Sequence, residues 1–217
     1  MFTLSLCSHP GCTHPAISFI SKEGEITDAP YFCIKHIPNL EEYTQTVFNY
    51  IKTHKKIVGL NASGLNFNNV DLTDKRFYGC NFQHCTFSNI QSEFFRARMS
   101  IFDFSIFADC NLLQSNLQFS SFAGATFSHI LFTGSDLVHN NFCGITSYQS
   151  SFDDSDLYNS RFIQAKLIDT SIRNCNIKKT MFYDIQEQNV SWKLSNTREA
   201  VFGHLEGGVQ NEGIFSL

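Results

Sequence analysis

Three cysteines and one histidine near the amino terminus have the spacing of a metal site. Cys7 and Cys12 lie close together around a Pro-Gly turn, and Cys33 and His36 form a C-x2-H pair about twenty residues later. A tetrahedral site needs four such ligands from two separated pairs, and Cys3His is a common closed set for zinc. Because four protein ligands leave no open position for a reacting water, the spacing predicts a structural rather than a catalytic zinc.

The first ligand pair leaves alternatives open. Four residues separate Cys7 from Cys12, where two are commoner, so His9 or His14 could replace one ligand. The alternative to a shared site is four residues without metal. A module of roughly 50 residues has little hydrophobic core, however, and a metal ion is a physically sensible way to stabilise it.

Short elements must position these ligands. The stretch AISFISKEGEITDAPYF predicts two short strands around Gly24, and after His36 the residues Asn39 and Glu42 are spaced as a capping box. The apolar positions that follow form a helical stripe: Leu40, Tyr43, Val47, and Tyr50 or Ile51. Over residues 1–56, this order of knuckle, hairpin and C-x2-H before a helix resembles small treble-clef zinc fingers.

Beyond residue 56 a single five-residue spacing governs the chain. In SSFDDSDLYNSRFIQAKL the bulky residues are Phe152, Leu157, Phe162 and Leu167, which fits neither the helical period of 3.6 nor the strand period of 2. The same phase holds from residue 62 to residue 182, and twenty-one of these twenty-five positions carry Phe, Leu or Ile. The position two before each is mostly small, as at Ser150. Repetition on this scale indicates a solenoid.

A chain that turns a corner every five residues closes a square coil after four sides. Coils then stack about 4.8 Å apart, so six coils would make a rod on the order of 30 Å long. The pattern resembles the A(D/N)LXX repeats of the pentapeptide repeat family over about residues 57–190. The resemblance implies an all-β fold, a right-handed quadrilateral parallel β-helix whose bulky side chains fill the centre.

The exceptions to the pattern conserve the side-chain volume of each five-residue step. Four bulky positions hold small residues instead: Ala62, Ser92, Ala97 and Ser147. Their partners two residues earlier are large: Leu60, Ile90, Phe95 and Ile145. Because a close-packed interior cannot leave that volume empty, we expect both members to point inward, with Phe95 inside and Phe94 outside. Lys75 occupies an inward position, which predicts a loosened corner there.

The cysteines of the repeat section divide into two groups. Four fall on small inward positions and are expected to be thiols of the core: Cys80, Cys85, Cys110 and Cys175. Cys143 follows Phe142 and is expected to face outward. The start MFTLSLC lacks the basic residues and apolar length of a signal, and no apolar run of membrane-spanning length exists, so we expect a cytoplasmic protein that does not enter a membrane. In that compartment the eight cysteines are expected to be thiols or metal ligands rather than disulfides.

The repeat pattern weakens after Phe182 and Ile185. A short helix is predicted from about residue 195 to residue 204, and residues 191–217 are expected to cap the open end of the solenoid and finish as a loose tail. In better-known relatives of the family, an apolar element at this end makes a dimer. The residues that could serve here are Phe202, Leu205, Ile214 and Phe215.

Residues twenty apart share one side of a square coil, so the surface can be sorted by side. One side gathers arginines and aromatic residues, the types favoured at interface hot spots. Its predicted binding residues are Arg76, Arg96, Arg98, Tyr78, Phe119 and Tyr158. Lys178 and Lys179 lie farther along it, beyond Asp136 and Asp156. We expect this side to contact a protein partner, which the sequence does not name.

The motifs exclude several function classes. There is no P-loop, dinucleotide fingerprint or nucleophile elbow, and outward groups such as Asp153, Asp154 and His139 are expected to be plain surface, so we expect no enzyme activity. Some pentapeptide repeat proteins mimic B-form DNA and bind DNA gyrase. That needs dense negative charge, whereas residues 57–190 carry twelve acids and nine bases, a net of −3.

The chain as a whole has a net charge of −4, which also makes nucleic acid an unlikely partner on charge grounds. The sequence therefore favours a non-enzymatic protein-binding scaffold. The alternatives that it leaves open are the gyrase-binding mimic, a secreted effector and a zinc-dependent enzyme.

Overall fold

A computed structural model describes residues 5–21, 23–27 and 32–204 of the 217-residue chain. The amino-terminal elements in these ranges are β1 (Phe19–Ile20), β2 (Ile26–Thr27) and α1 (Leu40–Thr53). The solenoid strands are β3 (Lys56–Val58), β4 (Asn66–Asn68), β5 (Arg76–Tyr78), β6 (Thr86–Ser88), β7 (Arg96–Arg98), β8 (Ile106–Ala108), β9 (Thr126–Ser128), β10 (Thr146–Tyr148), β11 (Lys166–Ile168), β12 (Met181–Tyr183), β13 (Gln186–Gln188) and β14 (Val201–Gly203).

Parallel pairing between residues twenty apart builds four sides. We number the sides by their inward bulky positions: the first carries residues 62, 82 and 102, the second 67, 87 and 107, the third 72, 92 and 112, and the fourth 57, 77 and 97. The second side stacks seven strands in the order β13-β11-β10-β9-β8-β6-β4, and the fourth side begins with β3-β5-β7. Single-residue bridges, such as Asn61 with Asn81, continue the ladders. The predicted all-β quadrilateral parallel β-helix is confirmed, and its seven-strand stack exceeds the six coils expected.

A column of stacked phenylalanine rings fills the interior next to the first side. The rings of Phe102 and Phe122 are 4.9 Å apart and inclined by 5°, and each neighbouring pair repeats this contact. The column comprises Phe82, Phe102, Phe122, Phe142, Phe162, Phe182 and Phe202, with centroids 4.8–5.2 Å apart. The rise of one coil equals the spacing at which aromatic rings stack with an offset. The height of the coil therefore favours phenylalanine in this column, and the stacked rings in turn stabilise the stacking of the coils.

Small polar residues two before each bulky one connect successive coils. Ser120 Oγ accepts a hydrogen bond from the Ser100 N–H at 3.1 Å and donates to the Ala97 carbonyl at 2.8 Å. Ser160 plays the same part for the Asn140 N–H, at 2.9 Å. A buried N–H without a partner is costly, so these inward hydroxyls satisfy main-chain groups at their corners as well as being small enough to fit there.

The four exchanged steps are confirmed. Ala62, Ser92, Ala97 and Ser147 are buried, and so are their large partners two residues earlier. Phe95 is 3% exposed, whereas Phe94 is 50% exposed. The core cysteines are buried as predicted, and burial raises the pKa of Cys80 and Cys175 to about 11 and that of Cys85 to about 12. Cys143 is partly exposed.

The amino-terminal module covers the first coil. Asn39 accepts a hydrogen bond from the Glu42 N–H at 3.2 Å and so caps α1, as the capping-box spacing predicts. The helix buries Tyr43, Val47 and Ile51 against the solenoid core, while Leu40 is exposed and lies outside the expected stripe. β1 and β2 form the predicted hairpin around Gly24, whose φ is +78°.

The ammonium of Lys75 finds its hydrogen-bond acceptors in the helix rather than in the solenoid. Lys75 is partly exposed, and its ammonium donates to the carbonyl oxygens of Lys52 at 2.8 Å and His54 at 3.3 Å, where α1 ends. Unpaired carbonyls at a helix C-terminus favour a cation, so this charge is compensated. Three residues earlier the ladder also departs from its regular pattern, because the Leu72 N–H donates to Ser92 Oγ instead of to a main-chain carbonyl.

The predicted helix over residues 195–204 is wrong. Thr197–Glu199 form one turn of 3₁₀ helix, and then β14 pairs in parallel with β12. Phe202 stacks on Phe182 at 4.9 Å, and Trp192 packs edge-on against both rings. The chain resumes the five-residue phase at Phe202 because this ring extends the aromatic column, and burying it there outweighs local helix propensity.

Phe202 therefore serves the cap of the solenoid. The other residues of the predicted dimer contact (Leu205, Ile214 and Phe215) lie outside the described residues. No helix in the described ranges combines the length and the apolar character needed to cross a membrane.

Candidate functional site

The four predicted metal ligands converge. The ligand atoms of Cys7, Cys12, Cys33 and His36 all lie within 4.8 Å of one another. The Cys12 and Cys33 sulfurs are 3.9 Å apart, and His36 Nδ1 lies 3.4 Å from the sulfur of Cys7 and 3.4 Å from that of Cys33.

Two tight turns place these ligands. The Cys12 N–H donates to the His9 carbonyl at 3.0 Å, with Gly11 at a φ of +76°, and this turn brings Cys12 back beside Cys7. The His36 N–H donates to the Cys33 carbonyl at 3.0 Å, which folds the C-x2-H segment in the same way. The Pro-Gly turn and the short spacings are thus the local causes of the cluster.

The cluster fits a tetrahedral zinc ion. With Zn–S near 2.3 Å and Zn–N near 2.1 Å, a tetrahedron has edges of about 3.8 Å between sulfurs and about 3.6 Å between sulfur and nitrogen. The observed distances of 3.9 Å and 3.4 Å match those edges. A disulfide needs about 2.05 Å, and the described cysteines are free thiols.

The proposed substitutes for a ligand lie at the rim of the cluster. The His9 ring stacks on the His36 ring at 3.9 Å, and His14 Nδ1 lies 3.5 Å from the Cys12 sulfur. Both histidines are exposed. His9 is placed to hold the orientation of the His36 ring, and the Cys3His set of the sequence prediction is the one that converges.

The electrostatics of the thiols favour a bound cation. Burial raises the pKa of Cys7, but hydrogen bonds at Cys33, His9 and His36 outweigh it and lower that pKa to about 6. At Cys12 a main-chain hydrogen bond at His14 lowers the pKa. Burial and the neighbouring Cys33 and Cys7 groups raise it by more than this, so the net shift of the Cys12 pKa is upward. One thiol therefore ionises readily and its neighbour resists, because two thiolates repel at this distance. A divalent cation removes that repulsion.

The fourth side brings the predicted binding residues together. Arg76 pairs beside Arg96, and Tyr78 beside Arg98, in adjacent strands β5 and β7. The Lys56 ammonium lies 5.9 Å from the centre of the Tyr78 ring, within the range of a cation–π contact. Lys55, Lys56, Val58, Arg76 and Tyr78 line a shallow groove of about 500 Å³ at the amino-terminal end of this side.

A row of side chains along one corner joins the remaining predicted residues. We call it the corner row and define it as Arg98, Phe119, His139, Tyr158 and Lys179. The Arg98 guanidinium lies 5.9 Å from the Phe119 ring, which stacks on His139 at 5.1 Å. His139 meets Tyr158 edge-on at 5.7 Å, and the Lys179 ammonium lies 5.5 Å from the Tyr158 ring.

His139 is the member of the corner row that the sequence pattern did not single out. The sequence predicts it to be plain surface, yet it lies twenty residues after Phe119, so the coil length itself is the signal that could have found it. It links Phe119 to Tyr158, and Asn159 Nδ2 lies 2.8 Å from its Nδ1.

Several exposed aromatic and apolar side chains on this side occupy strained backbone positions. Every fifth residue from Gly59 to Leu194 has a φ between 45° and 80°, which makes the corners of the coil. Gly, Asn and Asp adopt this left-handed region readily, whereas other residues pay roughly 1–2 kcal/mol. Phe94, Met99 and Phe119 flank Arg96 and Arg98 at such corners and are at least 50% exposed. Neither backbone conformation nor burial favours Phe94 and Met99 at these corners, whereas Phe119 is stabilised there by stacking on His139 and by its contact with Arg98.

The expectation that the outward acids are plain surface is wrong for Asp153. It is 8% exposed, and its carboxylate accepts from Arg173 Nη2 at 2.7 Å, Arg173 Nε at 3.0 Å and Ser171 Oγ at 2.5 Å. Burial raises the pKa of Asp153, but the hydrogen bonds and charge of Arg173 and Ser171 outweigh it and hold the pKa below its usual range. This carboxylate therefore joins two coils of the third side.

The ion pair gives a pH-dependent contribution to stability. A lowered native pKa stabilises the fold above the unfolded pKa of about 3.9, and the effect is lost as the pH falls through the native pKa. Asp153→Asn is expected to lower the free energy of unfolding by about 1–2 kcal/mol at pH 7 and by much less near pH 3, measured by urea unfolding. The neighbouring exposed Asp154→Asn is the control. An equal loss at both pH values would contradict the ion-pair account.

Comparison with known proteins agrees with the fold. The family model described as "Pentapeptide repeats (8 copies)" matches residues 102–145 and supports the pentapeptide repeat family for this solenoid. No curated protein matches the chain.

Solved structures similar to the chain include two pentapeptide repeat proteins and a fluoroquinolone resistance protein. The pentapeptide repeat protein Rfr23 from the cyanobacterium Cyanothece 51142 is 13% identical, over 73% of this chain and 99% of that chain, with a TM-score of 0.43. A trypsin-treated QnrB1, a plasmid-mediated fluoroquinolone resistance protein, is 16% identical over 69% and 83%, with a TM-score of 0.47. HetL, involved in heterocyst differentiation regulation in the cyanobacterium Nostoc sp. strain PCC 7120, is 12% identical over 71% and 91%, with a TM-score of 0.29.

Proposed function

We propose that this protein is a non-enzymatic binding scaffold whose fourth side contacts a protein partner. The observation that carries the proposal is the corner row, in which a cation faces an aromatic ring at each end. Arginine and aromatic side chains supply much of the binding energy in protein interfaces. Here the solenoid holds them in line on a rigid support, so little conformational entropy is lost when a partner binds.

The shape of the fourth side suits a partner with its own extended surface. Its groove is shallow and lined by lysine, arginine, valine and tyrosine, without the convergent acid, base and nucleophile that catalysis needs. The middle of this side carries the negative charge of the Asp136 carboxylate, which lies between two basic ends. This carboxylate accepts hydrogen bonds from Asn116 at 3.2 Å and from Gln118. This alternation favours a partner with complementary charges over a DNA-mimic role, for which the basic ends are unfavourable.

The amino-terminal module is proposed to hold a structural zinc ion on Cys7, Cys12, Cys33 and His36. When bound there, zinc would supply a closed tetrahedral cross-link between the Cys7–Cys12 turn and the C-x2-H turn. The module is attached to the first coil, because the Ser18 N–H donates to the Asn61 carbonyl at 2.8 Å and Asn61 Nδ2 donates to the Ala16 carbonyl at 2.8 Å. The metal would therefore stabilise the cap of the solenoid.

A charge-reversal experiment tests the scaffold. Full-length protein and the double variant Arg96→Glu/Arg98→Glu would be used to capture partners from native lysate, with quantitative mass spectrometry as the readout. The matched control is Arg161→Glu/Lys166→Glu, which changes the net charge equally on exposed residues of the first and second sides. We expect the fourth-side variant to lose specific partners at least about tenfold, which corresponds to 1.4 kcal/mol.

Two outcomes would contradict the proposal. Equal loss of partners with both variants would mean that overall charge, and not the fourth side, governs binding. Retention of all partners by the fourth-side variant would mean that binding lies elsewhere. Capture of topoisomerase subunits through another side would favour the DNA-mimic alternative.

A further inference from the structure

Among the described residues, the fourth side ends at its amino-terminal edge without a further paired strand. β3 is the terminal strand in the order β3-β5-β7. The Arg76 N–H donates to the Lys55 carbonyl at 2.9 Å, and the Gly59 N–H donates to the Tyr78 carbonyl at 3.0 Å. Residues 55, 57 and 59 thus bond to β5, and the main-chain groups of Lys56 and Val58 point the other way. Within residues 5–21, 23–27 and 32–204, no group is hydrogen-bonded to them.

The first side shows what closes such an edge. Asn61 occupies the equivalent terminal position there, since the Asn81 N–H bonds to the Leu60 carbonyl and the Ala62 N–H to the Asn81 carbonyl. The outward-pointing groups of Asn61 are both taken by Ser18: its N–H donates to the Asn61 carbonyl, and its hydroxyl accepts from the Asn61 N–H, each at 2.8 Å. The amino-terminal module therefore pairs the edge of the first side and leaves that of β3 unpaired among the described residues.

The surroundings of β3 carry a single sign of charge. Segments 55–59, 75–79 and 95–99 of the fourth side contain six lysine and arginine residues and no acid. Lys55, Lys56 and Arg76 line the groove beside β3, together with the half-exposed Val58 and the Tyr78 ring. A second copy of β3 would bring the same positive charges against this edge, so self-pairing is disfavoured, whereas a carboxylate-bearing chain is attracted.

We propose that β3 accepts an additional strand from an extended acidic peptide segment of a partner protein. The proposal rests on the scaffold function and specifies how the partner is held. Main-chain hydrogen bonds to Lys56 and Val58 would provide the pairing. Because alternate strand residues face the same way, the outward side chains of the added strand lie beside Lys56 and Val58. The segment therefore carries an acidic residue beside Lys56 and, two positions away, an apolar residue beside Val58.

A defined peptide serves as the probe. A fluorescein-labelled eight-residue peptide with the repeat Glu-Thr-Val-Thr presents acidic and apolar side chains alternately on one face, and Lys-Thr-Val-Thr is its charge-reversed control. Binding to the full-length protein would be followed by fluorescence anisotropy at low salt. Hydrogen exchange at the Lys56 and Val58 amides would be measured with and without the peptide. We expect binding of the acidic peptide alone, with slower exchange at both amides.

Val58→Pro separates strand addition from charge attraction. Proline removes the Val58 N–H, which does not bond to β5, so the ladder stays intact, and thermal unfolding would verify this. Val58→Ala shortens the side chain and keeps the N–H. We expect Val58→Pro to weaken peptide binding at least about tenfold, and Val58→Ala to weaken it less than about threefold.

The outcomes distinguish a failure of strand addition from a failure of the proposed scaffold function. Unchanged binding by Val58→Pro, unprotected amides, or no peptide binding at all would overturn strand addition. The scaffold function would survive any of these results if Arg96→Glu/Arg98→Glu still loses partners in the capture experiment. Tighter binding of a single-stranded oligonucleotide of equal charge than of the peptide would overturn the choice of an acidic peptide segment.

Discussion

Cys33→Ser is expected to reduce the zinc content from about one ion per chain to background and to unfold the amino-terminal module. Cys33 is 2% exposed and lies within contact distance of two other ligands, so its loss leaves a three-ligand site that binds zinc far more weakly. Zinc would be measured by elemental analysis after purification under reducing conditions. Unfolding of the module would be followed by hydrogen exchange of α1, because this helix belongs to the same amino-terminal module.

Cys143→Ser is the matched control for the metal centre. Cys143 is partly exposed, belongs to the solenoid, and is expected to be replaceable without loss of zinc. Unsubstituted protein that carries no zinc would contradict the metal centre. A Cys33→Ser variant that keeps full zinc would instead transfer the ligand role to another residue, with His14 beside Cys12 as the nearest candidate.

Phe95→Ala is expected to lower the free energy of unfolding by about 3–5 kcal/mol. Phe95 is the large member of an exchanged step, and its small partner Ala97 is fully buried. With alanine at both positions, no bulky side chain would fill that corner, and the Phe77 ring, 5.8 Å away, would lose its neighbour. Urea unfolding of the full-length protein gives the difference.

Phe94 provides the control for this cavity, because it is the same residue type one position earlier and is half exposed. Phe94→Ala is expected to change the free energy of unfolding by less than about 0.5 kcal/mol. A larger loss at Phe94 than at Phe95 would reverse the assignment of which ring points inward. Unequal losses in the expected order would confirm that volume is conserved within each five-residue step.

Most of the solenoid could be predicted from sequence because its interior obeys one short rule. The five-residue phase of the bulky residues is enough to place Phe122 and Phe142 on one column, where their rings stack. The exchange at Phe95 and Ala97 follows from packing alone. The Cys3His set could be predicted for a similar reason, since spacing and turn residues bring Cys7, Cys12 and His36 together.

The remaining features depend on contacts between segments that the repeat does not specify. The Lys75 ammonium is satisfied by α1 carbonyls, which a rule about inward positions cannot foresee. The strand β14 forms because Phe202 completes a column, although the local sequence suggests a helix. The role of His139 emerges only when outward positions are compared across coils as carefully as inward ones.

The twenty-residue coil restricts how such a protein can change its length. Insertion of one residue would shift every later side chain out of its column, so the core between Phe82 and Phe202 tolerates only whole coils. Each added coil would lengthen the rod by about 4.8 Å and leave every side in alignment. The distance between the metal-bearing end and any contact farther along the rod can therefore evolve only in fixed increments, and chains of different lengths built this way would act as molecular rulers.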